Sequence, residues 1–190
     1  MRLWRACFFM FFVTKYSPIP TYRKNTSVLD QFESTYHQYY PLLWAVAMKL
    51  LADEDTAADV LQDVFAAYFS QSQKSQIRQP KSWLLRVTLN KCADCAAYQN
   101  RHTDLSAANM VEPAVESADY TKDKRKIIQQ ALSQLSPQDR QLAVLYSEGF
   151  SYKEMSELVG IRFSSVGKTL SRVINKLHGI LTSNGYETFE

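Results

Sequence analysis

No glycine occurs before Gly149, and that absence constrains most of this 190-residue chain more than any residue it contains. A phosphate-cradling loop needs clustered glycines ahead of a helix, so residues 1–148 hold neither a dinucleotide fingerprint nor a P-loop. Nor does an alternating strand pattern punctuated by turn glycines appear there. What recurs instead is the helical period. Phe32, Tyr36, Tyr39/Tyr40, Leu43, Ala47 and Leu50/Leu51 fall at three- and four-residue steps on one face of a first helix. Ala57, Leu61, Val64/Phe65 and Tyr68/Phe69 mark a second. A third should start at Pro80, where a missing N–H costs nothing, and run to about Asn100. Apolar residues make up 46% of the chain, enough for packed cores in one or two domains.

The pattern breaks over residues 102–123. That stretch is rich in Ala, Ser, Asp and Glu, contains Pro113, and has no apolar stripe, so it reads as a flexible linker. Beyond it the helix signals are sharper. Ser136-Pro137-Gln138-Asp139 offers a capping hydroxyl, a first-turn proline and an acid at the third position. Ser151-Tyr152-Lys153-Glu154 is a capping box, and Gly160 can take the left-handed conformation that ends a helix. Val166, Leu170, Val173/Ile174, Leu177 and Ile180/Leu181 then stripe a long final helix. The predicted fold is all-α: two small helical domains, 28–101 and 124–184, joined by the linker, the second a helix-turn-helix.

Within that motif, Ser156 is small where the two helices approach, and Val166 is placed to pack back onto the shorter one. Ser165, Lys168, Thr169, Arg172 and Lys176 are expected on the opposite face. From Leu158 to Tyr186 there are four cations (Arg162, Lys168, Arg172, Lys176) and no acid. Short hydroxyls and cations on one helix face suit entry into the major groove; a solvated basic hairpin is the bland alternative.

Net charge sharpens the layout. The total of +3 hides +5 on residues 1–27, which have no acid, and a first domain split into unlike halves. Residues 28–70 hold seven acids and one cation, Lys49; residues 71–101 hold six cations against Asp94. The acidic part suits a basic protein partner and would be repelled by DNA, while the basic part could neutralise phosphates. Asp59, Gln62 and Asp63 share one face of the second helix; from spacing alone that face reads as merely solvated. Arg86, Asn90, Ala97 and Arg101 align on the third. Trp83 stands beside the polar loop Gln71–Gln79, where it can be core or a stacking platform for single-stranded bases.

Three other readings carry less. Ala6 to Val13 is an apolar run of eight behind Arg2 and Arg5, too short to span a bilayer and without a small-x-small cleavage pattern. Residues 1–27 are therefore expected to be a poorly ordered extension, ending before the fold begins near Ser27. Cys92-x-x-Cys95 raises a metal or redox site, but it has no second pair, and three cysteines suit a reducing compartment. A helix-turn-helix regulator with a sensory first domain is the nearest rival; it lacks a recognisable ligand-binding or phosphoacceptor motif.

These residues together resemble a known family. Ala57-Ala58-Asp59-Val60-Leu61-Gln62-Asp63-Val64-Phe65 resembles the AEDLVQEVF run of extracytoplasmic-function sigma factors. Pro80-Lys81-Ser82-Trp83-Leu84-Leu85-Arg86-Val87, with Asn90 and Asp94, resembles their WL…N…D segment. Leu135 to Leu177, including SYKEMSELVGI, resembles their C-terminal domain. The resemblance implies a cytoplasmic, non-enzymatic subunit of bacterial RNA polymerase, monomeric when free, that needs no cofactor or metal. Asp59, Gln62, Asp63 and Phe65 would contact the polymerase's clamp coiled coil, with the flap a further contact on the polymerase core. Arg78, Lys81, Trp83, Arg86, Asn90, Lys91 and Arg101 would recognise and open the −10 element. Arg162, Ser164, Ser165, Lys168, Thr169, Arg172 and Lys176 would read the −35 element. An anti-sigma protein is a further partner the resemblance allows. Where the family often carries Lys and Arg, this chain has Gly167 and Thr169.

Overall fold

The structure is a computed structural model that describes residues 26–103 and 120–183. The N-terminal extension through residue 25 and most of the expected linker lie outside the described residues. Three helices form the first half: α1 (Thr26–Leu51), α2 (Glu54–Lys74) and α3 (Pro80–Thr103), each packed on the other two. Four form the second: α4 (Tyr120–Ser133), α5 (Pro137–Ser147), α6 (Tyr152–Val159) and α7 (Phe163–Ser183). No strand occurs among the described residues.

The apolar stripes became the core. Leu43, Val46, Ala47, Leu50 and Leu51 of α1 meet Ala57, Val60, Leu61, Val64, Phe65 and Tyr68 of α2 and Leu84, Leu85 and Leu89 of α3, all buried. Aromatic rings close the outer end. Phe32 lies edge-on to Phe65 and Phe69 at 6.3 and 5.2 Å, and Tyr36 meets Phe65 at 4.7 Å. Such edge-to-face pairs add specific geometry to burial. α1 continues across Pro41, which cannot donate to the carbonyl four residues back; burial of Leu43, Val46 and Ala47 just beyond it helps hold the helix together. The α1–α2 turn needs Ala52 at φ +65°, a left-handed conformation costly for a residue with a Cβ. Asp53 then caps α2, its carboxylate accepting from the Thr56 N–H at 2.8 Å and from the Thr56 hydroxyl. Those bonds hold its pKa below the ordinary carboxylate value.

α4 corrects the linker boundary, because residues 120–123, read as linker, are its first turn. Acid and Ser content upstream masked a helix whose apolar side runs from half-buried Ile127 to Ala131 and Leu132, both buried. Its C-terminal carbonyls do not go unpaired: Arg140 of α5 donates from Nε to Leu132 O at 2.8 Å and from Nη2 to Ser133 O at 2.9 Å. The two halves also pack against each other, α5 on α1 and α6 on α3. Gln141 Nε2 donates to Leu89 O at 3.0 Å, and Lys49 Nζ stands 2.6 Å from Glu148 Oε1 and 3.0 Å from Ser147 Oγ. Nothing in the periodicity foretold this contact.

Candidate nucleic-acid and polymerase interfaces

α2 buries one stripe, so its other side must face outward. Asp59 and Asp63 are exposed there, and Gln62 is half-buried at the edge. Asp63 Oδ2 accepts from Lys91 Nζ of α3 at 2.9 Å, so the acidic face borders the basic one. Phe65 is a correction to the expected set: at 3% exposure it belongs to the aromatic core and offers no surface to a partner. Its position on the apolar stripe, i+4 from Leu61, is what buries it.

On α3, Leu84, Leu85, Thr88, Leu89 and Cys92 point inward, which leaves Arg86 and Asn90 exposed. Arg78 is exposed in the preceding loop. Trp83 is half-buried with its ring 5.8 Å from that of Tyr68, so packing claims much of it. Arg101 lies on α3, but its side chain is outside the described residues. Lys81 and Arg86 turn toward the second half. Lys81 Nζ meets Glu154 Oε1 of α6 at 3.1 Å and sits 4.9 Å over the Phe150 ring. Arg86 Nη2 donates to Glu157 O at 2.9 Å. Two side chains assigned to promoter DNA are thus held by the helix-turn-helix in this arrangement.

That motif is built by local chemistry. The Ser151 N–H and hydroxyl donate to Glu154 Oε2 at 3.0 and 2.8 Å, and the Glu154 N–H donates back to Ser151 Oγ at 3.3 Å. These bonds, with Lys81, pull the Glu154 carboxyl down to about 2. A carboxyl whose folded pKa is depressed stabilises the fold fully above its ordinary value of 4.5, and that stabilisation is lost as pH falls toward 2. Glu154→Gln keeps a capping amide but removes the charge. The melting temperature of wild type should exceed that of E154Q at pH 6, with the gap closing as pH drops to 2. A gap constant with pH would show that the charge contributes nothing.

Gly160 ends α6 at φ +74°, its N–H donating to Ser156 O at 3.0 Å, and Ser156 is buried where the helices meet. Met155, Val166, Leu170 and Val173 form the core beneath. Arg162, Ser164, Ser165, Lys168, Arg172 and Lys176 are exposed, as the period predicts. Thr169 is the exception: three residues after Val166 and four before Val173, it lies on the flank turned to the core and is half-buried. Arg172 reaches Asp139 only at 3.9 Å, leaving its guanidinium largely available. Sequence reasoning passed over Phe163, which opens α7 and stands 63% exposed. Its signal was an aromatic at the first helical position, outside the apolar stripe.

Burial pushes the Cys92 thiol up to about 12, so it is protonated and inert at neutral pH. Among the described residues no three His, Cys, Asp or Glu side chains gather as a metal site would need, and no helix is long and apolar enough to cross a membrane.

The fold and these surfaces define a class: paired helical domains, one with an acidic and a basic face, the other a helix-turn-helix with an acid-free cationic face. Residues 35–102 match Sigma-70 region 2, and residues 125–177 match Sigma-70, region 4. The chain belongs to the sigma-70 family of RNA polymerase sigma factors, in its extracytoplasmic-function group. It is 24% identical to the ECF RNA polymerase sigma factor SigE of Mycolicibacterium smegmatis over 86% of its own length and 66% of that protein's. It thus spans just under two thirds of that relative. It is also 24% identical to the ferric citrate uptake sigma factor FecI of Escherichia coli, over 80% of this chain and 91% of the relative. The solved sigma factor RpoE, in complex with the anti-sigma factor NepR from Bartonella quintana, shares the fold with a TM-score of 0.61 at 24% identity, covering 80% of this chain and 97% of that one. CnrH, in complex with the cytosolic domain of CnrY, gives 0.58 at 21% identity over 80% and 88%. The region 2 match disfavours the rival reading of a regulator that is not a polymerase subunit.

Proposed function

We propose that the chain binds bacterial core polymerase through the α2 face bearing Asp59, Gln62 and Asp63, and places both domains on promoter DNA. Arg78, Asn90 and Lys91, with Lys81 and Arg86 once freed, act at the −10 element; Arg162, Ser164, Ser165, Lys168, Arg172 and Lys176 act at the −35 element. The observation that carries this reading is the exposed, acid-free cationic face of α7 in a chain whose other half matches region 2. The chemistry of RNA synthesis stays with the polymerase; this chain supplies binding, and works in the cytoplasm where the polymerase is. The solved RpoE was captured with the anti-sigma factor NepR, which supports an anti-sigma protein as a second partner here.

Promoter engagement on this reading requires the two halves to part. Elements about 25 base pairs apart are separated by roughly 85 Å at 3.4 Å per pair, far more than domains in contact can span. Opening would also release Lys81 from Glu154 and Arg86 from Glu157. The test is run-off transcription with purified full-length chain and core polymerase on a promoter library. Specific transcripts that depend on the chain are expected; none, with no core binding, would overturn the reading.

A further inference from the structure

Gly167 sits inside α7, where glycine costs about 1 kcal/mol relative to alanine. Nothing in the fold asks for it. Its backbone is not left-handed, and an added Cβ would meet only Tyr152 Cε2, at an ordinary 3.5 Å. A helical glycine that neither conformation nor packing requires makes sense if something outside comes close. Its surroundings say what. Phe163, one turn earlier on the same side of α7, is 63% exposed, and Tyr152, whose ring edges Gly167, is 45% exposed. Tyr152 therefore borders a position with no side chain, and Phe163 stands exposed one turn ahead of it, at the leading end of the helix proposed to enter the groove. Exposed Arg162, Ser164, Ser165 and Lys168 surround them.

The first turns of a recognition helix meet base edges, and the one apolar group exposed there in the major groove is the C5-methyl of thymine. Four residues of helix rise about 6 Å, a span of one to two base steps. We propose that Phe163, Gly167 and Tyr152 form an apolar notch that seats a thymine methyl of the upstream promoter element, making Phe163 a specificity-determining residue. The proposal rests on the sigma-factor reading above. It also gives the departure at Gly167 a purpose: a cation there would fill the notch. Ile174 extends the apolar stripe two turns further on and is 42% exposed, so a protein partner along this flank is the competing use.

The test uses holoenzyme assembled from full-length chain and core polymerase, on a promoter pool randomised over the upstream element. Wild type should enrich thymine at one or more positions. Replacing that thymine by deoxyuridine removes only the methyl, and initiation should fall about fourfold, the size of one buried methyl group. Phe163→Ala holoenzyme, altered at an exposed position, should initiate equally on the two templates. Gly167→Leu should likewise lose the distinction. No thymine enrichment, wild-type indifference to deoxyuridine, or a Phe163→Ala enzyme that still discriminates would each overturn the notch. Equal losses on both templates, with weakened core binding, would overturn it in favour of a protein contact. A wild-type holoenzyme that transcribes nothing in the pool would defeat the sigma-factor reading and the notch with it.

Discussion

Asp59→Arg combined with Asp63→Arg is expected to cut affinity for core polymerase by roughly a hundredfold or more, since each reversal turns attraction to a basic surface into repulsion worth several kcal/mol. The fold should survive. Both side chains are exposed, and they lie opposite the stripe of Ala57, Val60, Leu61, Val64 and Phe65 that packs α2. Reversal at 63 gives up the ion pair with Lys91, whose two side chains are 61% and 35% exposed; such pairs contribute at most about 1 kcal/mol. A melting temperature within a few degrees of wild type, with core binding measured by fluorescence anisotropy, separates lost contact from lost structure. Tight core binding by the doubly reversed chain would remove this face from the interface. Phe65→Ala makes an instructive contrast: because its ring is buried, it should lower stability first and binding only as a consequence.

What was legible in the sequence is what short-range chemistry decides. The capping box spans four residues, Gly160 sets its own backbone, and apolar steps of three and four lay out each buried stripe; the helix-turn-helix was readable for these reasons. Phe65 shows the cost of reading a motif without its period, since the same spacing that places Asp59 and Asp63 outside places Phe65 inside. Thr169 fails in the same direction: placed on the outer face with Lys168 and Arg172, it lies three residues after Val166 and four before Val173, which turns it half inward. The contact between the halves was illegible for a different reason. Lys81 and Glu154 are 73 residues apart, and Gln141 and Leu89 are 52 apart. No periodicity records such pairings. A lone cation among acids, Lys49, was the nearest hint, and charge alone did not say that its partner would be Glu148.

Locking residue 49 to residue 148 should cut promoter-dependent transcription by more than about tenfold. Lys49 and Glu148 meet at 2.6 Å across the junction of the halves, and neither is among the side chains assigned to polymerase or DNA. Cysteines at both positions, with Cys7 and Cys95 replaced by serine, can be joined by a short bis-maleimide; Cys92 is buried and its thiol stays protonated, so it should not compete. In the bridged protein α6 stays against α3, with Lys81 on Glu154 and Arg86 on Glu157. The −35 face of α7 remains open, but it cannot reach its element while the other half engages one roughly 85 Å away. Run-off transcription should therefore fall by more than about tenfold, the loss of one strong binding element at 1.4 kcal/mol or more. The same variant treated with a monofunctional maleimide carries equal chemical damage without the tether, and it should retain activity. Binding of the bridged chain to an isolated upstream duplex should also persist, because that face is not covered. Full transcription by the bridged protein would mean that the closed arrangement is compatible with initiation, and that the contacts of Lys81 and Arg86 with α6 do not have to break.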